Sequence, residues 1–150
     1  MQYSKKGLRL TEQFEGLRLK AYQDVKGIWT IGFGHTGPDV HVGMIITQGQ
    51  AEALLGLDIL KASNAVNRLV TVQLTQGEFD ALVDFVFNVG AGHFAGSTML
   101  KLLNQGDHAG AAEQFDRWSF AGAVQIAGLL RRRQAETAEF TSGDTGTTTA

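Results

Sequence analysis

The sequence contains no cysteine. That excludes disulfides and thiolate-bound metals, and it lets the chain work in a reducing or an oxidising compartment without change. Charge of one sign is also scarce: the formal net charge is -2, and no basic stripe with interleaved aromatics is present, so nucleic acid is not an expected partner. No apolar run is long enough to span a membrane, and the opening residues Met1 to Gly7 hold none that would serve as a signal peptide. Neither an integral membrane segment nor an export signal is therefore expected. There is no internal repeat, no P-loop and no dinucleotide fingerprint. The four histidines, His35, His41, His93 and His108, are scattered rather than paired at metal-binding spacing, so no cofactor and no metal are expected.

What is present is a chain of 150 residues with 43% hydrophobic and 19% charged content, enough for one domain with a single core or two small lobes. Its 19 glycines stand well above the average usage of about 7%, which points to mobile backbone or close approach of a ligand.

The stretch from Glu15 to Thr36 carries the chemistry. Glu15 closes an apolar-periodic segment (Leu8, Thr11, Phe14) and precedes Gly16, the residue type most often found just past a helix C-terminus. The helix dipole puts partial negative charge there, so an ionised Glu15 is disfavoured and its proton held more tightly, as a general acid requires. Asp24 then opens a turn, Asp24-Val25-Lys26-Gly27, between two runs that read as a hairpin. In the second run a period of two puts Trp29, Ile31 and Phe33 on one face and Ile28, Thr30, Gly32 and Gly34 on the other, bare enough for a bulky ligand to reach the backbone. Asp24, on an exposed polar turn, stays ionised. Two carboxyls of opposed tendency suit glycoside hydrolysis: one protonates the leaving oxygen, the other activates water or stabilises positive charge.

The wording Glu-Gly-x-x-Leu-x-x-Tyr-x-Asp-x-x-Gly-x-Trp-Thr-x-Gly-x-Gly-His-Thr closely resembles the active-site segment of the phage lysozyme (endolysin) family, whose signature is Glu, eight residues, Asp, five residues, Thr. Glu15, Asp24 and Thr30 fall on it without a gap. The resemblance implies an α+β, lysozyme-like fold, with a small hairpin or sheet lobe, a mostly helical C-terminal lobe and the cleft between them. It implies Glu15 as general acid, Asp24 as base or electrostatic partner, and Thr30 as the residue that helps position the attacking water. The implied partner is the glycan strand of peptidoglycan, cut at the β-1,4 bond between N-acetylmuramic acid and N-acetylglucosamine for host cell lysis. A monomer is expected, held in the host cytoplasm before lysis and reaching the wall through a holin-type membrane opener. A lytic transglycosylase acting on the same bond needs the acid but no base, which an intact Asp24 and Thr30 argue against. A non-catalytic wall-binding protein is disfavoured because all three signature residues are present. Many relatives are basic, so the near-neutral charge here departs from the family and bears on wall affinity.

Beyond this stretch, Ser4 caps a helix to Glu15, with Lys5 and Lys6 opposing its dipole. Thr47 and Gln50 form a capping box that opens a helix to about Leu69. Asp58 lies on that helix's apolar stripe, where it either meets a cation or is shifted toward neutrality, because an unpaired buried charge costs several kcal/mol, unless it lies only at the edge of the stripe. His35 is the candidate, and the resemblance implies the same His-Asp salt bridge. Thr75 and Glu78 form a second capping box, followed by Phe79, Leu82, Val83, Val86 and Phe87 in a helical pattern that ends at Gly90 and reads as a core helix. Asn88, in wording again shared with the family, is either a substrate-binding residue or a tie at the helix end. Two short helices are expected over 97–104 and 107–115, a core position for Trp118, and a last helix over about 125–140. In that helix one of Arg131, Arg132 and Arg133 turns inward or toward the cleft; the family pairs its catalytic Glu with an Arg, but the alternative is a solvated turn with an Arg132 to Glu136 pair. Residues 1–140 thus read as one catalytic domain and 141–150 as a disordered tail.

Overall fold

In the computed structural model, residues 1–146 are described. The elements run α1 (Lys5–Glu15), β1 (Arg18–Gln23), β2 (Trp29–Gly32), β3 (His35–Thr36), α2 (Gln48–Leu69), α3 (Gln76–Val89), α4 (Ala91–Ala95), α5 (Thr98–Asn104), α6 (His108–Ala112), a 3-10 turn (Phe115–Trp118), β4 (Phe120–Ala121), β5 (Val124–Gln125) and α7 (Ala127–Phe140). β1, β2 and β3 form an antiparallel sheet in sequence order. The 44–46 segment runs along the free edge of β1, with Ala21 N donating to Met44 O at 2.9 Å and Ile46 N to Leu19 O at 2.9 Å. This small sheet beside a mostly helical remainder is the α+β architecture.

Helix starts follow the side-chain caps. Ser4 accepts from Gly7 N, and both capping boxes are closed, Thr47 with Gln50 and Thr75 with Glu78. α3 is the core helix: Phe79, Leu82, Val83 and Phe85 are fully buried, each stabilising the fold by about 1.5–3 kcal/mol relative to exposure. α3 nevertheless buries three acids as well, Glu78, Asp80 and Asp84. Each is paired. Glu78 closes its cap and meets His108 Nδ1 at 2.5 Å. Asp80 accepts from Ser4 N at 3.1 Å, from Gln76 Nε2 at 2.8 Å and from the Ser4 hydroxyl.

Four expectations need correction. α6 stops at Ala112, and the 3-10 turn that follows swings Phe115 into the core, 5.5 Å from the rings of both Phe85 and Phe140. α4, unanticipated, begins directly after Gly90, whose φ of 99° ends α3. α7 begins at Ala127 rather than Gln125, because β4 and β5 pair as a second hairpin turning at Gly122. The 141–146 segment is not free. Asp144 O accepts from Gly77 N at 3.0 Å, satisfying an open amide in the first turn of α3, and Lys6 reaches Glu139 at 3.0 Å and Asp144 at 3.8 Å. The contact is made mainly by backbone, so composition does not reveal it. The expected disorder of residues 147–150 lies outside the described residues.

Trp118 is half-buried and packs edge-on against Phe85 at 5.6 Å.

Candidate active site

α1 ends at Glu15 because Gly16, at φ 66°, turns the chain away while its amide donates to Glu12 O. The Glu15 carboxylate is then flanked by two remote elements. Arg132 of α7 donates from Nη1 to Oε1 at 2.6 Å. Oε2 lies against Gly34, at φ 76°, where a Cβ would overlap it. The bare glycine face takes the protein's own side chains, while Gly34 also lines the cleft. Gly34 admits the Glu15 carboxylate, and Gly32 packs against Ala51 of α2, where an added Cβ would sit 3.4 Å from the Ala51 Cβ. The positive φ at both residues also ends the alternation after Ile31.

Asp24 holds its own turn. Its Oδ1 accepts from Lys26 N at 2.8 Å and Ile28 N at 2.9 Å, fixing the carboxylate by local backbone. Both bonds use the same oxygen. Glu15 and Asp24 line one cleft of about 550 Å³ together with Gly34, Thr36, Asp58, Lys61 and Asn88. Thr30 stands apart from that lining. It is buried, and its hydroxyl donates to Ile28 O at 3.0 Å; its neighbour across the ladder, Thr36, reaches the cleft instead.

His35 is buried between two carboxylates, Nδ1 2.7 Å from Asp58 and Nε2 2.9 Å from Asp39. Carboxylates accept only, so with both in place each ring nitrogen donates and the imidazole is cationic. Burial opposes that charge, but the hydrogen bonds to Asp58 and Asp39 outweigh it and raise the His35 pKa. The hydrogen bond from His35 in turn lowers that of Asp39. The pair joins the sheet to α2 at the cleft wall. Asp39 gave no signal in the sequence, since it lies in a loop where an i, i+4 spacing has no geometric meaning.

Two of the three arginines turn inward, and Arg132 is the one that reaches Glu15. Its side chain is 6% exposed and spans Glu15 and Asp84, with its nearest approach to Glu136 at 3.9 Å; Arg131 is exposed. Arg133 is buried too, stacked over Phe85 at 5.0 Å, with Nη2 donating to Asn88 Oδ1 at 2.8 Å and to Glu136 Oε2 at 2.9 Å. An arginine only donates, so Asn88 presents its oxygen inward to Arg133 while lining the cleft. Asp84 was the residue missed. The argument that singled out Asp58, a carboxylate on an otherwise apolar stripe, applies to it equally. Among the described residues no group of acids and histidines is arranged to hold a metal ion.

Residues 12–136 match the family described as phage lysozyme. The endolysin of Acyrthosiphon pisum secondary endosymbiont phage 1 is 47% identical over 146 residues, covering 95% of this chain and 99% of that protein. Among solved structures, the muramidase domain of SpmX from Asticaccaulis excentricus superposes with a TM-score of 0.87 at 42% identity, covering 93% of this chain and 97% of the other. An endolysin from Escherichia coli O157:H7 phage FAHEc1 gives 0.86 at 42%, covering 94% of each chain. On the extent and identity of these matches, this chain belongs to the phage lysozyme family.

Proposed function

We propose that the chain is an endolysin, a glycoside hydrolase that cleaves the β-1,4 bond between N-acetylmuramic acid and N-acetylglucosamine in peptidoglycan. The observation that carries this is the convergence of Glu15 and Asp24 on one cleft, the first anchored by a distant arginine and the second by its own turn. Glu15 gives its proton to the glycosidic oxygen as the bond to the muramyl C1 breaks. Asp24 takes a proton from the water that attacks C1 from the opposite face. Thr30, buried beside the cleft, helps position that water indirectly: its O–H holds Ile28 O, and Ile28 N in turn holds the Asp24 carboxylate. Asn88 offers its amide N–H to a sugar acceptor. Residues 1–140 act as one catalytic domain.

The proposal extends to the setting. The relatives named endolysin support a role in host lysis. On this reading the chain accumulates in the host cytoplasm, works as a monomer and reaches the wall through a holin-type membrane opener. Among the described residues no helix is long and apolar enough to cross a membrane.

Glu15→Gln removes the acid while keeping its shape. Clearing of outer-membrane-stripped cells should fall by at least about 10²-fold, the usual worth of a positioned acid. Near wild-type clearing by that variant refutes the acid assignment. Mass spectrometry of wild-type products should show hydrated reducing ends; 1,6-anhydro ends would mean a transglycosylase instead.

A further inference from the structure

Arg132 holds Glu15 and Asp84 in different ways. It reaches Glu15 through one nitrogen, Nη1, at 2.6 Å. Toward Asp84 it presents Nε and Nη2, each 2.9 Å from a different carboxylate oxygen, the edge-to-edge match of a planar fork with a carboxylate. Burial separates the two partners as well. Asp84 is fully buried, whereas the Glu15 side chain retains 18% exposure at the cleft. Thr11, itself fully buried, donates to Asp84 Oδ1 at 2.7 Å and is in turn held by the Tyr3 hydroxyl at 2.7 Å.

We propose that Asp84 is a positioning residue for the general acid: it is the resident counter-ion of Arg132, and it frees Glu15 to be neutral at the moment it must donate a proton. This rests on Glu15 being the acid. A guanidinium whose only counter-ion was Glu15 would hold that carboxyl ionised, since an opposite charge within hydrogen-bond reach lowers a carboxyl pKa by about 1–3 units. With Asp84 fixed on the other edge, Arg132 keeps a partner whichever form Glu15 takes, and still orients it.

The other charged groups do not substitute. Glu136 lies 3.9 Å from Arg132 Nε, beyond hydrogen-bond distance, and burial together with Asp84 pushes its carboxyl well above the usual range. Asp80 of α3 is occupied by Ser4 and Gln76. Arg133 of α7 faces Asn88 and Glu136. From the cleft side Glu15 is faced by Asp24 on the hairpin turn and by Asp58 and Lys61 on α2. Burial works against an ionised Asp84, but hydrogen bonding with Glu136 and Arg132 outweighs it, and the Asp84 pKa is lowered.

The test is the pH–activity profile of Asp84→Asn on soluble peptidoglycan glycan. Removing the negative charge leaves Glu15 as the one carboxylate hydrogen-bonded to Arg132, with Glu136 no nearer than 3.9 Å, so the acid loses its proton sooner and the alkaline limb should move down by about 1–2 pH units, with kcat affected more than KM. A merely structural role would lower activity without moving the limb. A folded Asp84→Asn variant whose alkaline limb superposes on wild type overturns the proposal. If that variant does not fold, Glu15→Gln decides: with Asp84 as resident counter-ion its melting temperature stays at the wild-type value, and a drop of more than about 4 °C shows that Arg132 depended on Glu15 and overturns it. Persistent activity in Glu15→Gln would instead sink the acid assignment, a separate failure.

Discussion

Replacing Asp58 by Asn should make the stability of the protein lose part of its dependence on pH. His35 bridges Asp58 and Asp39 from a buried position, at 2.7 and 2.9 Å. Its pKa is raised in the folded state, so its contribution is fully present below the unfolded histidine value of about 6.5 and is lost as pH rises through the folded pKa. Asp39 is lowered, so its share is present above the unfolded value of about 3.9 and is lost as pH falls through its folded pKa. The largest contribution therefore falls between about pH 4 and 6.5. A hydrogen bond to a charged group contributes about 1.5–3 kcal/mol against 0.5–1.5 for a neutral one. Asn at 58 can still accept from the ring, so the expected loss is about 1–1.5 kcal/mol near pH 5.5. The Asp39 side chain is 53% exposed, and solvent screening reduces its share to about 0–1 kcal/mol. For a chain of this size the Asp58→Asn loss corresponds to about 2–6 °C in Tm. Melts followed by circular dichroism at pH 5.5 and pH 9 should show that difference shrinking as the imidazole is neutralised. An equal difference at both values refutes the pairing as a charged interaction.

Gly34→Ala should cost activity more than stability: the new Cβ overlaps the Glu15 carboxylate, so kcat should fall steeply while the strain of positive φ costs only about 1–2 kcal/mol, checked by kinetics beside a thermal melt. Leu82→Ala, at a fully buried site on α3, should lose about 2–5 kcal/mol in urea titration, with the surviving folded fraction still active. If Asp24 acts as a base, a water must fit between it and the sugar, the carboxyls take the wider spacing of about 6.5–9.5 Å, and early-time proton NMR should show inverted, α-anomeric product; β product would make Asp24 a nucleophile.

How much of this was legible depended on the range of each interaction. Helix starts at Thr47 and Thr75 were readable because a cap is written within four residues, and α3 because its apolar spacing leaves no solvent face. Glu15 and Asp24 were readable as a local constellation. The resemblance offered an arginine partner for Glu15 but not which one, because the contact joins residues 117 apart and three consecutive arginines offer no local reason to choose among them. The second role of Gly34 was hidden for a related reason: a bare strand face signals that something comes close, and only the folded chain shows that the protein's own carboxylate does so beside the cleft. Residues 141–146 look structureless because their docking on α3 uses a backbone carbonyl that any sequence would supply.

The separation of Glu15 from Arg132 also orders events during synthesis. A ribosome that has delivered everything through α6 has already made both cleft carboxylates and the whole sheet, yet the cation that holds the acid is still to come. An unfinished chain, or one clipped before α7, has the residues of the signature without the clamp. The clamp on Glu15 is thus among the last contacts that synthesis makes possible, and a stalled or truncated product carries the carboxylate without it.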